Sequence, residues 1–138
     1  MLAIVRAMRS TDYIQAQRIR TRAVRYFLSA LTRADVIATP TTPITASQIE
    51  ERSLPEGKSD VSQVIEVMRF VNPANLSGLP AITVPAGYDG SGMPIGLQLM
   101  ARPWEENSLL RLAYAIDGVV ERRKPTIHFD LLPELGRA

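Results

Sequence analysis

Residues 36–39 read Val-Ile-Ala-Thr and residues 81–84 read Ala-Ile-Thr-Val, two short runs that are apolar on both sides. Side chains in a strand alternate between faces, so a run with two apolar faces belongs inside a sheet covered on each side. A chain carrying such runs must supply helices for both faces, or neighbouring strands from elsewhere. An unpaired apolar edge would otherwise invite aggregation.

The flanking patterns supply some of that cover. Ser10, Thr11 and Asp12 can each cap a helix, and in the run that follows Ile19, Ala23, Tyr26, Phe27, Ala30, Leu31 and Ala34 recur at intervals of three and four. One face of this helix is expected to pack, and Pro40 closes the strand after it. Residues 42–59 hold prolines and hydroxyls without periodicity and read as an irregular loop. A short helix is expected from Ser59 or Asp60, with Val61, Val64, Ile65 and Met68 inward and Pro73 opposing its continuation. Asn75–Pro80 then reads as a turn-rich entry to a strand, AITVPAGY. Pro85 cannot donate to a ladder and must lie at an edge, bulge or strand end.

Asp89–Pro94 reverses the chain into a second strand, IGLQLMA, so residues 81–101 form a hairpin whose loop exceeds two residues. Gly96 inside that strand marks a close backbone approach or a bend. A second long helix spans 106–123, with Leu109, Leu112, Ala113, Ile116, Val119 and Val120 buried; Pro125 stops it, and 124–138 is a tail. The order is α/β with few strands in a single domain, 1–138, and it has the character of a fragment. Self-association through apolar strands is one way to complete it.

Composition excludes several chemistries. No cysteine is present among the 138 residues, so disulfides, thiolate nucleophiles and sulfur-ligated metals are ruled out and a reducing, cytoplasmic setting is expected. No apolar run is long enough to span a bilayer. The net charge is +2 and nearly all the bases are arginine; Arg18, Arg22 and Arg25 share one helix side while Arg20 points elsewhere. That reads as a solvated face, and nucleic-acid binding would call for interleaved aromatics.

His128 stands alone in the tail, and the acid pairs Glu50–Glu51 and Glu105–Glu106 diverge on any regular element, so neither a metal site nor a two-carboxylate site is expected. Lys58 lies near Ser53, Ser59 and Ser62 in a segment too wet to lower its pKa. The glycosylation-like triplet at Asn75 has no secretion context. No catalytic constellation and no cofactor follow from local reasoning.

The stretch NLSGLPAITVPAGYDGSGMPIGLQLM, residues 75–100, resembles the carboxy-terminal signature of the amidase signature family. The family includes general amidases, fatty-acid amide hydrolases and one of the subunits of the glutamyl-tRNA(Gln) amidotransferase. Its pattern falls on Asn75, Leu76, Ser77, Gly78, Leu79, Pro80 and Ala81, then Pro85, Ala86 and Gly87, then Gly96, Leu97 and Gln98. The resemblance implies a mixed sheet with helices packed on both faces.

It also implies amide hydrolysis by two serines and a lysine that lie upstream and map onto nothing here. Ser77 and Ser91 are not that nucleophile, nor Lys58 or Lys124 that base. The chain is therefore expected to be inactive alone and to need the missing amino-terminal part. Thr41, Thr42 and the segment Phe70–Asn75 would wall the pocket of a small amide substrate. Glutamine-using members carry an aspartate where this chain has Met68, which favours a less polar substrate.

Overall fold

A computed structural model describes residues 6–51, 53, 57 and 60–123. Helix α1 (Ser10–Leu31) leads to strand β1 (Val36–Pro40), and residues 41–51 carry no helix or strand. Two short helices follow, α2 (Val61–Val67) and α3 (Val71–Ser77), then β2 (Ala81–Tyr88), β3 (Pro94–Ala101) and α4 (Glu106–Asp117). The tail 124–138, with His128 and Lys124, and also Lys58 and Ser59 lie outside the described residues.

The three strands form one antiparallel sheet in the order β1-β3-β2. The hairpin closes through Asp89, whose amide donates to the Met93 carbonyl at 2.9 Å. Pro85 has two of its three expected refuges, because β2 is an edge strand and the register shifts between Pro85 and Gly87. Gly87 takes φ 127° in that bulge, a region side chains rarely enter.

Period-two alternation gives the sheet two unlike faces. Ile82 and Val84, Leu97, Leu99 and Ala101, and Val36 pack with Leu109, Leu112, Ala113 and Ile116 of α4 to form the core. Leu99 is 2% exposed. The other face carries Ile37 opposite Met100, and Thr39 opposite Gln98 opposite Thr83. It is polar at its centre.

Arg102, just past β3, ties the sheet to α1. Its guanidinium donates to the carbonyls of Leu31 (2.6 Å) and Ala34 (3.3 Å), and it pairs with Asp35 and Glu105. These partners, Glu105 first, raise its already high pKa further. The carbonyls left open at the end of α1 are thereby satisfied.

Four expectations need correction. Asn75–Ser77 is helical rather than turn-rich, because Pro73 occupies the first turn of a new helix, where its missing N–H has no intrahelical partner to lose. Gly78, at φ 75°, ends that helix and donates to Ala74. α4 stops at Asp117: Gly118 caps it and Val119 is left exposed. Arg122 then pairs with Asp117, and Arg123 lies over the Tyr88 ring.

Val61, Val64 and Ile65 of α2 do not turn inward; all three are exposed. On α1 only Leu31 is buried, while Ile19 and Tyr26 are exposed. The amphipathic patterns are real, but the surfaces they require are not within the described chain.

Helix starts follow local chemistry. Asp60 caps α2 by accepting from the amides of Ser62 and Gln63 at 3.0 and 3.1 Å. At α1, Asp12 reaches back from the first turn to accept from the Arg9 amide at 2.9 Å. Arg20 departs from the other arginines as expected and donates to the Leu76 carbonyl near the end of α3.

Candidate functional site

The polar face of the sheet is built around Gln98, the one buried polar side chain among the described residues, at 4% exposure. Its amide nitrogen donates to the Phe70 carbonyl at 2.8 Å and to Thr39 Oγ1 at 3.2 Å. The Phe70 carbonyl can only accept, which orients the carboxamide. This single side chain ties β3 to β1 and to the entry of α3, in a setting where an unmade bond would be costly.

One row further along the sheet lies Gly96. A Cβ there would stand 2.8 Å from Thr41 Oγ1, 3.1 Å from Thr41 Cβ and 3.2 Å from Thr83 Cγ2. The absent side chain is the space into which both threonines fold. Thr41 Oγ1 donates to Thr83 Oγ1 at 3.2 Å, and the Thr41 amide donates to the Gly96 carbonyl at 2.8 Å. The close backbone approach expected at Gly96 is instead an approach of side chains, from Thr41 just past β1 and from Thr83 on β2.

The loop after β1 is held at its far side. Asp89 accepts from Thr45 Oγ1 at 2.6 Å, from the amides of Ser91 and Met93 at 2.9 Å each, and from Ser91 Oγ at 3.0 Å. The Thr45 hydroxyl bond, then that from Met93, holds its carboxyl down to about 2 from an ordinary 3.8. Thr42 turns back on its own loop and donates to the Ile44 carbonyl at 2.8 Å.

The expected pocket residues are thus brought together in part. Thr41 and Phe70 join through Gly96 and Gln98, Thr42 lines a separate cleft of about 400 Å³ with Thr45, Gln63 and Val67, and Asn75 is exposed on α3. Thr39, Thr83 and Thr45 were not singled out by the sequence reading, which gave Asp89 only as a turn residue. The period-two pairing of Thr39 with Thr41 and of Gly96 with Gln98 was a signal for the first two; nothing local marked the Thr45–Asp89 bond. Met68 lines a cleft of about 300 Å³ with Asp60, Gln63, Val64 and Val67.

The serines have structural partners. Ser77 Oγ donates to the Ala74 carbonyl at 3.1 Å and accepts from the Leu79 amide, and Ser91 Oγ is held by Asp89. The described residues include no lysine or histidine to serve either as a base. They also include no cluster of three His, Cys, Asp or Glu side chains able to hold a metal ion. No described helix is long and apolar enough to cross a membrane.

Residues 3–110 match the family model described as Amidase. The chain belongs to the amidase family. It is 50% identical over 133 residues to a fatty acid amide hydrolase of Oryza sativa subsp. japonica, covering 95% of this chain and 22% of that protein. It is 43% identical over 105 residues to a glutamyl-tRNA(Gln) amidotransferase subunit of Parvibaculum lavamentivorans, covering 76% of this chain and 20% of the relative. Among solved structures, the corresponding amidotransferase subunit from Thermotoga maritima superposes with a TM-score of 0.67 at 31% identity, over 81% of this chain and 23% of that one. The chain spans about a fifth of the length of the curated relatives it matches. Signature positions now have physical roles in this amidase segment: Gly78 ends α3, Pro85 and Gly87 shape the bulged edge, and Gly96 and Gln98 build the polar face.

Proposed function

We propose that this chain is the carboxy-terminal part of an amide hydrolase, contributing sheet core and pocket wall to a catalytic centre whose Ser-Ser-Lys residues lie in the missing part. The observation that carries the reading is the polar face, where Gln98 and Gly96 on the central strand arrange Thr39, Thr41, Thr83 and Phe70. Thr41 and Phe70 belong to that face, and Thr42 and Asn75, set apart from it in this segment, would complete the wall in the assembled enzyme. Both chemically plausible serines are engaged in capping a helix end and a turn, which supports inactivity of the chain alone.

The substrate is an amide of low polarity. Met68 stands where a glutamine-binding aspartate is implied by the family resemblance. The fatty acid amide hydrolases, at up to 50% identity, support the same choice over the amidotransferase subunits.

The test is turnover of simple and long-chain primary amides by the purified chain, alone and mixed with an amino-terminal amidase portion. No turnover alone and turnover on mixing are expected. Turnover by the chain alone that is lost in Ser77→Ala or Ser91→Ala would place a nucleophile here and overturn the reading. The exposed valines and isoleucine of α2 favour a second reading, a noncatalytic module that self-associates. Light scattering separates the two, since a monomer at micromolar concentration excludes obligate self-association.

A further inference from the structure

A further cleft lies away from the polar face, between α1 and α3. It encloses about 420 Å³ and is lined by Ala16, Ile19, Ala23 and Phe27 on one side and by Pro73 and Leu76 on the other. On α1 these positions follow a spacing of three, four and four, a stripe about 16 Å long at 1.5 Å per residue, or three helical turns. Two of its four members are alanines, which allow a third backbone to come close. Ile19 and Leu76 are 57% and 61% exposed, so the cleft is formed and open.

Of the α1 arginines, Arg20 and Arg22 flank the cleft, Arg20 donating across it to the Leu76 carbonyl, while Arg18 and Arg25 lie about 100° and about 120° from Ile19 on the side away from the stripe. Arg20 lines the cleft, and at about 100° per residue Arg22 stands about 60° from Ile19 on the opposite rim. Arg69 also lines the cleft and is paired with Glu66, whereas no ion pair joins Arg18, Arg22 or Arg25 to another described residue.

We propose that the α1–α3 cleft is the seat of an amphipathic helix with acidic flanks, contributed by the amino-terminal portion of an amidase. The apolar stripe sets the helical occupant, by the packing of ridges into a groove between two helices. The arginines set its flanks, since opposite charges at a rim steer docking and reject wrong partners. A second copy of this chain is disfavoured, because α1 against α1 would oppose the same arginines. RNA would meet the arginines but gain nothing from Ala16, Ile19, Ala23 and Phe27. The occupant rests on the amidase reading above, since four-fifths of the length of the matched relatives lies outside this segment.

The experiment co-expresses the full chain with the Oryza sativa fatty acid amide hydrolase from which the matched 133-residue segment has been removed. A one-to-one complex is expected, weakening as salt rises. Ile19→Glu and Leu76→Glu, both at exposed positions, should each raise the Kd about tenfold or more, and Arg22→Glu about tenfold at low salt only. Val119→Glu, at an exposed site just past α4 and outside the cleft lining, should leave it unchanged.

In a second arm the chain replaces the matched segment within that relative. Hydrogen exchange of residues 16–27 should then slow at least about tenfold relative to the isolated chain. A complex and protection that ignore Ile19→Glu and Leu76→Glu overturn the cleft assignment and leave the amidase reading standing. No complex and no protection with any variant overturn both. A homodimer dissolved by Ile19→Glu, or RNA retained in a salt-sensitive way and released by Arg18→Glu with Arg22→Glu, assigns the surface to those partners instead.

Discussion

α4 and α1 have the same kind of amphipathic sequence and opposite fates. Within 12 residues α4 buries Leu109 and Ala113 against the sheet, whereas α1, at 22 residues, buries only Leu31. The covering strands for α4 come from residues 36–101 of the same chain; those needed by α1 are not among the described residues. Periodicity therefore states that a face is to be covered, and says nothing about which polypeptide covers it. The half built on β1, β2, β3 and α4 is a packed unit, and the half built on α1 and α2 is a prepared surface.

That contrast can be broken first at Leu99, which is 2% exposed at the centre of the packed half. Leu99→Ala should cost about 2–5 kcal/mol in urea unfolding, through lost transfer energy and the cavity left behind. A cost near zero would mean that the sheet is no better packed than α1. Next comes Gln98→Leu, which leaves the Phe70 carbonyl without its donor. A loss of about 1–3 kcal/mol is expected by the same measurement, with faster amide exchange in α3.

The Asp89 turn gives a smaller, pH-gated effect. Its carboxyl is held below its ordinary value, so the stability it adds is complete above about 3.8 and lost as pH falls through about 2. The Ser91 and Met93 amide resonances should move with a midpoint near 2, and Thr45→Val should bring that midpoint upward. A midpoint at the ordinary carboxylate value would show that the loop and the hairpin are not latched. Smallest of all is Ile19→Ser, expected within about 0.5 kcal/mol of the parent in the isolated chain. A cost above about 1.5 kcal/mol would show α1 already packed and erase the comparison.

Much of the hairpin was legible because its determinants are local. Asp-Gly marked the reversal, Pro85 demanded an edge or bulge, and Gly96 announced a close approach, all without knowledge of any partner strand. The start of α2 was readable as Ser59 or Asp60, and Asp60 is the cap. The helix at Val71–Ser77 was not, because Pro73 reads as a breaker in a helix interior and as an ordinary first-turn residue at a helix start. Only the position of the neighbouring helix end distinguishes the two. The pocket residues were placed by family resemblance, and local chemistry alone did not assemble them.

The sequence by itself determined the three strands, the hairpin and its blunted edge, the amphipathic stripes of the two long helices, and membership of the amidase family, while the second face expected to be apolar is polar at its centre. These depend on residues within a few positions of each other, or on a linear pattern. Tertiary structure alone decided that Gln98 reaches Phe70 across 28 residues, that Arg102 closes the end of α1 across 71, and that Thr45 meets Asp89 across 44. It also decided which apolar stripe is sealed and which is left open. Such contacts arise from how strands and helices come together in space, and no local pattern in the chain specifies which distant backbone group a side chain will meet.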